Sequence, residues 1–225
     1  MPAVNSSSRL REITHIQAWA ATNNLKLNCS KSKEIIFAAR GKRGNSADLP
    51  QPSMNIERVS SLRVLGVIVN DQLSAADHVT NVLASCNSLL YALRILRCHG
   101  ISDASLQNVF QATVIAKLTY CAPSWSGACS AADRAKLDSF IRRSKRLGYC
   151  SQNQPSFTQL LDDADYSFFN RIKMNSEHVL QPYLPERPEI YYSLRERSHN
   201  KTLLTKTAYL NDQDCLIRML YKDSY

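Results

Sequence analysis

Four cations crowd one short stretch of the chain: FIRRSKRLG places Arg142, Arg143, Lys145 and Arg146 within two helical turns. Side chains of that kind at that density suit the oxygens of a phosphate backbone, which they hold without reading base sequence. At the end of a helix they also complement the negative pole of its dipole, so a plainly solvated helix terminus fits them as well. LKLNCSKSKEIIF presents Lys31 and Lys33 between two strand-like runs, and Arg40, Lys42 and Arg43 lie beside Gly41 and Gly44, where a backbone grip and a plain basic loop fit equally. Asp162 and Asp163, with Asp165 close by, are the one adjacent carboxylate pair. Paired carboxylates can hold the two magnesium ions of nucleotidyl transfer, but the helical spacing in QLLDDADYSFF makes an acidic helix face the better reading. The five histidines form no His-x-x-x-His pattern and the cysteines no Cys-x-x-Cys, which argues against a zinc site. Ser126-Gly127 lacks a nucleophile-elbow context, and GKRGNS lacks the ending of a phosphate loop.

The charge that surrounds these candidates is uneven. A net charge of +9 favours a polyanionic partner, since clustered Lys and Arg release counterions from phosphates. Residues 1 to 79 hold 10 basic and 6 acidic side chains, 80 to 150 hold 9 and 3, and 151 to 225 hold 9 and 10. The excess therefore belongs to the first two thirds. Seven cysteines, an odd number, with no apolar leader favour a reducing intracellular compartment, nuclear or cytoplasmic, over secretion. No uninterrupted run approaches the 18 apolar residues of a membrane span, so no membrane partner is expected.

The elements that must position the candidates follow from periodicity. Leu10, Ile13, Ile16, Trp19 and Ala20 predict a first helix, with Asn23-Asn24 as its stop. Leu25 and Leu27 before the polar Asn28 to Lys33, and Ile35 and Phe37 after it, predict a hairpin with a basic turn. Residues 40 to 61 read as a long loop with a short strand at Ile56 to Val59, and LRVLGVIVN as one buried strand with Gly66 at a bulge or close approach. Val79, Val82, Leu83, Cys86, Leu89, Leu90, Leu93 and Leu96 form one helical stripe, ended by Gly100. Leu106, Val109, Phe110, Thr113, Val114 and Leu118 form a second behind Ser102, and CAPSWSG breaks the chain. A third helix starts at Ser130 with Asp133 as a capping-box partner, carries Leu137, Phe140, Ile141 and Leu147, and stops at Gly148. Three such helices with short connections predict a bundle. Another helix over about 157 to 180, the extended QPYLPERPEI and a final CLIRMLYKDSY complete the chain.

In order along the chain, IQAWAATNNLKLNCSKSKEIIF, VSSLRVLGVIVNDQLSAADHV, LLYALRILRCHGISDASL, VIAKLTYCAPSWSG, SAADRAKLDSFIRR and the RERSHN to IRMLYKDSY tail resemble the reverse transcriptase of non-LTR (LINE-type, jockey-like) retrotransposons. That resemblance implies an α+β chain in three parts. Residues 1-78 would be a palm remnant of antiparallel strands with one helix, carrying motifs D and E; 79-150 would be a helical thumb and 151-225 a C-terminal extension. It places Lys31 at the motif D lysine, beside the incoming triphosphate, and gives Lys33 no role. It places Leu65 and Gly66 at the primer grip of motif E, where a tight turn lies against the primer strand. Arg142, Arg143, Lys145 and Arg146 would meet the nucleic-acid backbone in the thumb.

The family's aromatic-x-Asp-Asp is expected a few residues before PAVNSSSRLREITHIQAWA, so these 225 residues are expected to hold no catalytic or metal-binding residue and no cofactor. The complete parent enzyme would use Mg2+, with an RNA template and a DNA primer as partners. The expected function is that of a truncated RNA-directed DNA polymerase that keeps weak, non-specific nucleic-acid binding. A domesticated, non-catalytic module binding nucleic acid or protein is the competing reading.

Overall fold

In a computed structural model the chain is described over residues 6–37, 56–186, 199 and 201–222, and it divides into two compact units, Met1–Leu73 and Ser74–Tyr225. It mixes helices with two small sheets, as the α+β expectation has it. The first division falls five residues before the expected 78. The helices expected on either side of 150 belong to one unit.

In the first unit, α1 spans Ser6–Thr22, and its Ala20 is buried while Leu10, Ile16 and Trp19 are exposed. The expected hairpin over 25 to 37 does not form. β1 is only Lys33–Glu34, and it pairs in parallel with β2, Glu57–Arg58, inside the short strand expected there. The cause is local. The Asn28 side chain accepts from the Ser30 hydroxyl (2.7 Å) and the Lys31 N–H (3.1 Å), and its carbonyl accepts from Ser32 (3.1 Å), so the backbone is spent on a turn rather than a ladder. LRVLGVIVN is likewise two strands, not one. β3 (Ser61–Val64) and β4 (Val67–Asn70) pair antiparallel, Val64 opposite Val67, with Leu65-Gly66 as a two-residue turn and much of β3 exposed. The turn has φ of 46° at Leu65 and 90° at Gly66, the left-handed pair that matches strand twist in tight hairpins. Most of the loop read over 40 to 61, including Arg40, Lys42 and Arg43, lies outside the described residues, as does part of QPYLPERPEI.

The second unit is helical. α2 (Ala76–Cys98) buries Val79, Val82, Cys86, Leu90 and Leu93 against α3 (Asp103–Phe110), α4 (Ala116–Thr119) and α6 (Ala131–Arg146). Leu96 is exposed. By length and composition α2 is long and apolar enough to cross a membrane, which a search for uninterrupted apolar runs overlooks. Between α3 and α4 a π-helical turn, Gln111–Ile115, shifts the register, so Val114 and Ile115 are both buried; Val109, ahead of that turn on α3, is exposed. The CAPSWSG segment carries a short helix, α5 (Ala122–Trp125), whose indole is buried between His78 (4.9 Å) and Phe157 (6.3 Å).

α7 (Phe157–Met174) opens with a capping box of Ser156 and Gln159 and packs on α4, α5 and α6. It ends before the expected 180. α8 (Tyr209–Gln213) and α9 (Cys215–Tyr221) close the described chain, and Met219 and Leu220 join Phe169, Ile172 and Leu184 in one apolar cluster.

Candidate nucleic-acid interface

α6 has a well-defined start. The Ser130 hydroxyl accepts from the Asp133 N–H (3.1 Å), and the Asp133 carboxylate accepts from the Ser130 N–H (3.3 Å) and hydroxyl (2.6 Å). Burial raises the Asp133 pKa, but the Ser130 bonds and Lys136 outweigh it, so the carboxyl sits below the usual aspartate value. Leu137, Phe140, Ile141 and Ser144 then face inward, which turns Arg142 and Arg146, one helical turn apart, to solvent. Leu147, expected on the buried stripe, is exposed because it lies beyond the last turn, where its carbonyl accepts from Arg97 Nη1 (2.8 Å).

The four cations of FIRRSKRLG do not share one role. Arg142 and Arg146 are exposed and have no partner among the described residues. Arg143 lies 5.4 Å from the centre of the Phe140 ring and donates to the Asn87 side chain of α2, a partner that sequence spacing does not reveal. Lys145 is half-buried and donates to the carbonyls of Gln152 (3.0 Å) and Gln154 (2.6 Å). Its ammonium ties down the loop after α6, so three of the four candidates line the open surface and Lys145 serves the fold. Arg97 is also engaged, 4.2 Å from the centre of the Tyr149 ring. Neither His78 to Ser102 nor Ser139 to Leu161 contains an acidic residue, a gap readable in the sequence that marks both segments as positive.

The first unit separates its two lysines in the same way. Lys33 pairs with Glu57 across the β1–β2 ladder, whereas Lys31, on the Asn28 turn, is exposed and its ammonium has no partner among the described residues. Leu65 is 86% exposed at the tip of the β3–β4 turn. A leucine in a left-handed conformation costs about 1–2 kcal/mol, and here an apolar side chain is held in water at that cost.

Asp162 and Asp163 are exposed on α7, but Asp165 is not on an acidic face. It is buried, and its Oδ2 accepts from Arg218 Nη2 at 2.6 Å; that nitrogen is also 2.9 Å from the Ser126 hydroxyl. Burial, reinforced by the Asp165 charge, pushes the Cys215 thiol up to about 12. Among the described residues no group of three or more His, Cys, Asp or Glu side chains converges to hold a metal ion. Protein-family models, curated proteins and solved structures yield no match to this chain. What the described residues offer is geometry alone: unpaired guanidinium groups of Arg142 and Arg146 on a helix end, next to acid-free segments.

Proposed function

We propose that this chain is the nucleic-acid-holding part of an RNA-directed DNA polymerase of the non-LTR retrotransposon type. The observation that carries the reading is the exposed, unpaired pair Arg142 and Arg146 beside Arg143, on a helix flanked by acid-free sequence. Guanidinium groups so placed form charge-assisted hydrogen bonds to phosphate oxygens and release counterions, giving affinity without base preference. In this reading α2 to α6 are the thumb, and its arginines grip the template–primer backbone. Two features of the first unit support the same parentage. The chain turns tightly at Leu65-Gly66, where the resemblance expects the primer grip, and Lys31 is unpaired where it expects the lysine beside the triphosphate.

The role proposed for the described residues is holding nucleic acid; among them no group of three or more His, Cys, Asp or Glu side chains converges. A binding-only module shares that observation. The purified chain should bind an RNA–DNA duplex weakly, with affinity falling as salt rises at a log–log slope of a few units. Given primer, template, magnesium and deoxynucleotides, it should incorporate nothing above a heat-killed control. Salt-independent binding would overturn the phosphate-grip reading, and template-dependent extension would overturn the restriction to holding.

A further inference from the structure

We propose that Tyr91 and Arg94 of α2 extend the arginine face into a site for an unpaired nucleic-acid strand, with the Tyr91 ring stacking on a base and Arg94 holding an adjoining phosphate. The inference rests on the phosphate-grip reading of α6 and names a different form of ligand for the same surface. Asn87, Tyr91 and Arg94 stand at i, i+4 and i+7, so they share an exposed face of α2 that flanks the buried stripe of Val79, Cys86 and Leu90. Arg143 of α6 bonds to Asn87, which fixes that face beside the α6 arginines. Tyr91 and Arg94 lie about 6 Å and about 10 Å further along the α2 axis.

Both are available. Tyr91 is 64% exposed, and neither its hydroxyl nor the Arg94 guanidinium has a partner among the described residues. No carboxylate lies on α2 beyond Asp77 to compete for Arg94. An exposed aromatic ring next to a row of cations is the combination that single-strand binders use: the cations follow the backbone and the ring takes a base face. In a duplex those base faces are covered by their neighbours, so Tyr91 has nothing there to stack on. The surface should hold a duplex by charge alone and an unpaired strand by charge and stacking together.

Fluorescence anisotropy with a labelled twelve-nucleotide oligothymidylate and a twelve-base-pair duplex tests this on the full chain. Tyr91→Ala should weaken single-strand binding about tenfold, leave duplex binding within about twofold and leave the salt slope unchanged, because stacking releases no counterions. Tyr91→Phe should restore single-strand affinity. Arg94→Gln should flatten the slope on both ligands by about 0.9. Circular dichroism checks that each variant keeps its helices. The proposal is overturned if Tyr91→Ala changes single-strand binding less than twofold or weakens both ligands equally. If that happens while Arg142→Gln with Arg146→Gln still flattens the slope, the phosphate grip stands and only the stacking site falls. A wild-type chain that binds neither ligand overturns both.

Discussion

Arg218→Met should be among the most damaging single substitutions in the second unit. Arg218 reaches from α9 to the Asp165 carboxylate (2.6 Å) and the Ser126 hydroxyl (2.9 Å), and it also donates to the Gln213 carbonyl. Asp165 is only 6% exposed and its Oδ1 has no hydrogen-bond partner, so removing the guanidinium leaves a buried carboxylate with its charge uncompensated. Breaking a buried pair in this way costs about 3–5 kcal/mol, against a total of about 5–15 kcal/mol for an ordinary domain. Replacing both partners, Asp165→Leu with Arg218→Met, should recover most of the loss, because apolar groups of similar volume need no partner. Gly127→Ala attacks the same node from the other side. A Cβ there would collide with Arg218 Nη1 and with the Gln213 backbone, whose carbonyl carbon would lie at 2.7 Å. Its effect should not add to that of Arg218→Met. Urea unfolding in a Trp19→Phe background isolates the signal of Trp125, which is buried next to Ser126. A loss below about 1 kcal/mol for Arg218→Met, or a double variant worse than the sum of its singles, would refute the reasoning.

Acid should weaken the second unit through Asp133. Its folded pKa is depressed, so its contribution is present above the unfolded value of about 3.9 and is lost as pH falls toward the folded value. Asp133→Asn should flatten that part of the stability–pH curve, as read by thermal melts between about pH 5 and pH 2. Cysteine labelling should divide by exposure: iodoacetamide should modify Cys98 and Cys121 in the folded chain, while Cys86 and Cys215, buried and with thiols raised to about 11 and about 12, should react only in denaturant. Mass spectrometry of the labelled peptides reads this directly, and rapid native labelling of Cys215 would contradict the packing of α9.

The helices were legible because their signals are local: Ser130 with Asp133 marks the α6 start, and Val79, Val82, Cys86, Leu90 and Leu93 mark one face of α2. The strands were less legible. A β-branched run such as LRVLGVIV reads the same whether it continues or folds back, and Leu-Gly is a weaker turn signal than Asn-Gly. The 25 to 37 hairpin failed because Asn28 supplies bonds that compete with a ladder, a contest that alternation of apolar residues does not register. Basic residues were easy to find and hard to sort. Lys145 differs from Arg146 only in where the carbonyls of Gln152 and Gln154 end up, and Asp165 leaves the acidic face because Arg218, 53 residues away, meets it in the interior.

The salt dependence of duplex affinity in two charge-matched variants tests the central claim most directly. Arg142, Arg143 and Arg146 changed together to Gln remove the three exposed cations of α6, Arg143 giving up its bond to Asn87 as well, while Lys145 and the buried stripe stay intact. Each lost phosphate contact removes about 0.9 from the log–log slope, so this variant should bind more weakly with a slope flatter by roughly two to three units. Surface substitutions change stability by only about half a kcal/mol each and the exposed Arg143–Asn87 bond contributes about 1 kcal/mol, so its melting curve should drop only slightly. Arg187, Arg195 and Arg197 changed to Gln remove the same charge from the acid-balanced last third of the sequence. That control should lose far less affinity and keep nearly the full slope. Equal losses from both triples would mean that net charge alone binds the duplex, and would contradict a grip built on the end of α6.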